Sequence, residues 1–226
     1  MVELQPSKLA TSVRFPSPAP IHVLKRFWPI LTLTVICWLV FLADSLFWHG
    51  QLTQYGIIPR RVSSLPGILC APFLHVSFKH ITANTVPLAV LGGIICARNK
   101  GEFSVITVAG ILLSGGLTWL LARNACHVGA SSLIFCFFGY LASLAYFNRT
   151  FGALVLSVVC VVGYGGMLRG LLPGAAAISW ESHAAGLVAG IALAWLTSKM
   201  TKTPDRPKVF GDAPRRDIQR PRERVL

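Results

Sequence analysis

Three short stretches place polar side chains within otherwise apolar surroundings. The first runs Phe73-Leu74-His75-Val76-Ser77-Phe78-Lys79-His80-Ile81-Thr82-Ala83-Asn84. On a helix, His80 and Asn84 are one turn apart and share a face, and both side chains donate hydrogen bonds. The second is Val128-Gly129-Ala130-Ser131-Ser132-Leu133. Here a small Gly-Ala pair leads into a helix whose first turn exposes backbone N–H groups and the positive end of the dipole. A serine at that point is either a simple N-cap or a nucleophile whose own N–H lines an oxyanion site. The third is Ile178-Ser179-Trp180-Glu181-Ser182-His183-Ala184-Ala185-Gly186-Leu187-Val188-Ala189-Gly190. His183, Gly186, Gly190 and Ala194 form one narrow helical face, and such a small-residue stripe admits a neighbouring helix closely. A serine, an imidazole base and two side-chain donors are the groups that acyl transfer uses, and two-member versions of that chemistry need no carboxylate. Glu181, two residues from His183, does not share its helical face. Taken singly, each stretch also has a plain structural reading: a polar helix start, a cap, and a histidine bonded to a carbonyl.

The elements that would have to bring these groups together follow from composition. The chain has 226 residues, 54% of them hydrophobic and only 13% charged, with a formal charge of +13. A soluble domain carries about 25% charged residues, so the chain reads as a membrane protein, with the bilayer as a partner. Six apolar spans, about 27–47, 78–97, 103–122, 130–147, 151–170 and 181–198, are each long enough to cross the hydrocarbon core. The predicted fold class is therefore all-α, a polytopic bundle of six transmembrane helices. With the N-terminus inside, sixteen of the 21 Lys and Arg residues fall on the cytoplasmic side and five (Arg60, Arg61, Lys79, Arg123 and Arg169) on the outer side. The positive-inside rule thus favours both termini inside. The same charge placement argues against nucleic-acid binding: the basic residues orient the bundle. Spans 2, 4 and 6 then run inward from the outer side, so Ser131, His183, His80 and Asn84 fall in one layer.

Residues 1–26 are expected to be a disordered cytoplasmic segment, 27–199 the membrane domain, and 200–226 a basic disordered tail. The first span is longer than a signal-peptide core and is followed by no small-x-small site, so it is expected to be retained. The six cysteines, Cys37, Cys70, Cys96, Cys126, Cys136 and Cys160, include no C-x-x-C pair, which argues against zinc or redox chemistry. Cys70 and Cys126 fall on one side, where they either pair or serve as small apolar filler. No internal repeat supports a transporter, and the inner halves of spans 2, 4 and 6 are almost wholly apolar.

With these residues in place, the chain resembles the rhomboid family of intramembrane serine proteases from roughly Trp28 to Lys199. The resemblance rests on Tyr55-Gly56-Ile57-Ile58-Pro59-Arg60, Phe73-Leu74-His75, His80-x-x-x-Asn84, Gly129-Ala130-Ser131-Ser132, Gly139-Tyr140, and His183-x-x-Gly186-x-x-x-Gly190. It implies a six-helix bundle around a water-accessible cavity and hydrolysis of peptide bonds in or near the transmembrane segments of substrate proteins. It also implies a plasma-membrane location with the site facing outward, and no metal or cofactor. Carried over by position, Ser131 matches the nucleophile, His183 the general base, and His80 and Asn84 the oxyanion donors. Gly129 matches the motif ahead of the serine, and Gly186 and Gly190 the small face that packs span 6 on span 4. The chain departs from the family pattern twice: Ser132 replaces a usual Gly, and Phe135 stands where Tyr is frequent. The second departure is expected to keep ring stacking on the histidine. The alternative reading is a catalytically inactive relative that binds membrane helices as chaperone or adaptor.

Overall fold

Helix boundaries in this chain are set by small polar residues between apolar runs. Asn99 ends one helix, its N–H donating to Ile95 O at 3.0 Å, and starts the next by accepting from the N–H groups of Gly101 (2.7 Å) and Glu102 (3.2 Å). Ser77 and Thr150 cap two further helices by accepting from His80 N–H and Ala153 N–H. Such caps satisfy N–H groups that have no intrahelical partner.

The computed structural model describes residues 19–173 and 179–201. Its helices are α1 (Ala19–Ala43), α2 (Gly67–Cys70), α3 (Phe78–Arg98), α4 (Lys100–Leu121), α5 (Ser131–Asn148), α6 (Phe151–Tyr164) and α7 (Trp180–Thr201). The protein is an all-α, polytopic bundle. By length and composition, Lys25–Trp48, Phe78–Arg98, Lys100–Leu121, Ser131–Asn148 and Phe151–Leu171 can each cross a membrane. The sixth predicted span is the 22-residue α7, whose apolar character is diluted by Glu181, Ser182, His183 and Ser198. The span expected at 151–170 is α6 continued by a 3-10 segment, Gly165–Leu171.

One boundary differs from expectation. Residues 19–26, assigned from the sequence to a disordered segment, already belong to α1. Arg26, two turns into this helix, donates to Cys96 O (3.3 Å) and Arg98 O (2.9 Å) and ties α1 to the end of α3. The remainder of the two segments expected to be disordered, residues 1–18 and 202–226, lies outside the described residues.

The core runs along α5, where Leu133, Ile134, Phe137, Tyr140, Leu141 and Leu144 are buried against α3, α4, α6 and α7. The outer faces of α4 and α6 are apolar and exposed, as with Val105, Val108, Leu112, Val158, Val159 and Val162. Exposed apolar surface on this scale suits lipid rather than water. The connection between α1 and α3 is built of short helical turns and docks onto the end of α4. Arg60 donates to Leu120 O (3.2 Å) and Ala122 O (2.9 Å), and Trp119 Nε1–H donates to Arg61 O (3.0 Å). Ile57 and His127 form an isolated antiparallel bridge that joins this connection to the segment ahead of α5.

Candidate active site

Ser131 is the first residue of α5 and is half-buried. The helix is capped by Ala130, without a side-chain hydrogen bond, so Ser131 is not used as an N-cap. Gly129 makes the turn into the helix at φ +111°, a conformation that favours glycine, and its N–H donates to Ala71 O at 2.8 Å. The glycine is also required by space. A Cβ at Gly129 would lie 2.6 Å from His80 Cε1 and Nε2 and 3.5 Å from Asn84 Nδ2. The side chains of His80 and Asn84 therefore reach from α3 to the backbone immediately ahead of Ser131. The first N–H groups of α5 have no partner within the helix.

His183 lies in the first turn of α7. Its ring stacks on Phe135 at a centroid distance of 4.4 Å and an interplanar angle of 11°. Phe135 is one turn beyond Ser131 on the same face of α5, so the stack brings His183 to the serine's side of the helix. The stacking expected of a phenylalanine at this position is present. His183 Nδ1 lies 2.9 Å from Gly170 O. A carbonyl only accepts, so Nδ1 carries the proton and Nε2 of the neutral ring keeps its lone pair. Glu181 pairs instead with Arg123, at 3.6 Å, and does not orient the ring.

Gly186 and Gly190 set the distance between α5 and α7. A Cβ at Gly186 would collide with Ser132 O, and one at Gly190 with Cys136 O. The two helices run parallel and in step, each four-residue advance on α7 matched by one on α5. As a result, α3, α5 and α7 all start at one end of the bundle and their polar residues share a layer.

The sequence reading gave His75 no role of its own, yet it organises one side of this layer. It is 3% exposed, and its ring meets that of His80 edge-on at 5.0 Å. Nδ1 lies 3.3 Å from Phe73 O and therefore carries the proton. Nε2 then accepts from Asn84 Nδ2 (3.2 Å) and, at 3.5 Å, from Ala130 N–H. Asn84 must therefore turn its NH2 group toward His75, which leaves its second N–H available to the site. His75 stands outside α3, so helical spacing gave no sign of it. Its position at the end of the Phe73-Leu74-His75 motif was the available signal. Burial pushes its pKa down from 6.5 to about 4, with help from neighbouring His80 and against the Phe73 carbonyl.

Cys70 and Cys126 are both free thiols, and Cys126 Sγ donates to Thr53 O at 3.2 Å. Among the described residues, no group of three His, Cys, Asp or Glu is arranged to hold a metal ion.

These features describe a multi-pass membrane protein with a polar cluster at one end of its helices. The Rhomboid domain family matches residues 63–200, and the chain belongs to the rhomboid family. It is 37% identical over 179 residues to uncharacterized proteins of Mycobacterium bovis and Mycobacterium tuberculosis, covering 75% of this chain and 74% of each relative. An uncharacterized protein of Mycobacterium leprae is 33% identical over 196 residues, covering 82% of this chain and 77% of the relative.

Proposed function

We propose that the protein is an intramembrane serine endopeptidase that cleaves transmembrane protein substrates through a Ser131–His183 dyad. The observation that carries this reading is the placement of His183: stacked on Phe135 beside the Ser131 face, with Nδ1 engaged by Gly170 O and Nε2 left as a base. His183 Nε2 takes the Ser131 hydroxyl proton as Oγ attacks the scissile carbonyl. The resulting oxyanion is held by Asn84, His80 and the backbone N–H of Ser131. His183 then gives its proton to the leaving amine. Water, activated by the same imidazole, releases the acyl group and restores Ser131. The scissile segment must unwind first, because a helix hides its carbonyls in its own hydrogen bonds. The site faces the extracytoplasmic side of the plasma membrane, following the bias in basic residues. The retention of both Ser131 and His183 favours this reading over a helix-binding relative without activity.

Purified protein in liposomes is expected to cleave a transmembrane reporter, and Ser131→Ala and His183→Ala are each expected to abolish cleavage. Wild-type turnover in either variant overturns the assignment. Asn84→Ala is expected to lower kcat by about 10²–10³ with little change in KM, the usual effect of losing one oxyanion donor.

A further inference from the structure

His127 has no part in the chemistry above, yet it is 4% exposed and bonded on every polar edge. It lies four residues ahead of Ser131. Its backbone pairs with Ile57 through His127 N–H to Ile57 O (2.8 Å) and Ile57 N–H to His127 O (3.0 Å). Its ring Nε2 lies 3.0 Å from Arg123 O, so Nε2 carries a proton and Nδ1 of the neutral ring accepts. Facing Nδ1 are the hydroxyls of Ser179, at 2.5 Å, and Ser182, at 3.4 Å, which are themselves 2.6 Å apart. Ser182 is buried and is the residue directly before His183. Ser179 O accepts from His183 N–H at 3.2 Å. The ion pair of Arg123 with Glu181 joins the same two pieces of chain a second time.

We infer that His127 is a positioning residue: through Ser179 and Ser182 it fixes the first turn of α7, and with it His183, against the segment that delivers Ser131. This rests on the Ser131–His183 reading above. The Phe135 stack and Gly170 O set the plane and tautomer of the His183 ring. Neither sets where the first turn of α7 stands relative to Gly129–Ser131. His127 ties the two segments, its Nε2 to the Arg123 carbonyl and its Nδ1 to the hydroxyls of Ser179 and Ser182, at the point where the segment ahead of Ser131 meets the start of α7. A displacement of 1 Å at a reacting pair costs about 10²-fold in rate, so a tie between the two segments acts on turnover rather than on substrate binding.

The experiment compares wild type, His127→Ala, His127→Gln, Ser182→Ala and the His127→Ala/Ser182→Ala double variant in liposomes. Competent sites are counted with a fluorophosphonate probe, so that kcat is expressed per reactive serine and loss of folded protein does not register. His127→Ala is expected to lower kcat by about 10–10²-fold, with KM within about twofold of wild type. Ser182→Ala is expected to lose several-fold, and the double variant no more than His127→Ala alone, because both remove one shared interaction. His127→Gln, which keeps one donor and one acceptor, is expected to recover most of the rate. Wild-type kcat per site in His127→Ala, additive losses in the double variant, or no recovery with Gln would each overturn the inference. Should His127→Ala not fold, Ser182→Ala decides alone: an unchanged kcat overturns the inference, and a several-fold loss with KM constant supports it. Ser131→Ala separates the two readings. If it is inactive while His127→Ala is fully active, only the positioning role fails; if it is active, the protease reading fails.

Discussion

The burial of His75 makes the protein's stability depend on pH. The folded protein keeps this histidine neutral down to about pH 4, whereas the ordinary value is 6.5. Between those limits the unfolded chain binds the extra proton, so stability falls as the solution is acidified. The contribution is complete above about pH 6.5 and is lost on descending to about pH 4, a span worth about 3 kcal/mol. Thermal unfolding in detergent from pH 7 to pH 4.5 is expected to show a steeper fall for wild type than for His75→Asn, and equal slopes would remove His75 from this role. At this scale the sequence was informative where helical spacing applies. His80 and Asn84 share a face by their four-residue separation, and the order of the motifs singles out Ser131 and His183. His127 was not legible, because its partners lie in other segments and no local period links them; His75 was marked only by its place in the Phe73-Leu74-His75 motif. Ser179 and Ser182, for example, stand more than fifty residues from His127.

At the scale of elements, the contact between α5 and α7 decides whether the layer exists. Between helices in lipid there is no hydrophobic gain from association, so close van der Waals packing carries the contact. Gly190 abuts Cys136 O, and Gly190→Ala must push the helices apart, at a cost of about 1–3 kcal/mol for overpacking. Gly163, on α6, has open space around its α-carbon. Gly163→Ala is expected to be neutral or slightly stabilising, since alanine is the better helix former. Unfolding midpoints in detergent check both; a fall in both variants would show that the space around Gly190 is not what matters. The Gly186 and Gly190 stripe was readable as a packing face from its spacing alone. The tie of α1 to the end of α3 was not, because Arg26 meets carbonyls that lie about seventy residues further along the chain.

For the whole molecule, α5 and α7 run parallel, as the alternation of spans leads one to expect. Hydropathy and the distribution of Lys and Arg were enough to expect an all-α bundle with its polar residues gathered at one end. Reporter fusions at both termini and at the loop containing Arg60 are expected to place the termini in the cytoplasm and the loop outside, and a cytoplasmic loop would reverse the proposed orientation of the site. The carbonyl that fixes His183 comes from Gly170, in the turn that follows α6. That helix is the least enclosed of the five apolar spans, with 17% of its most apolar stretch buried. On the proposed mechanism, the His183 base therefore has one support resting on the least enclosed of these five spans. If the protein cleaves as proposed, bilayer thickness and lateral pressure, which act on that helix directly, are expected to set turnover alongside substrate concentration, and rates in micelles and in bilayers of different thickness are expected to differ.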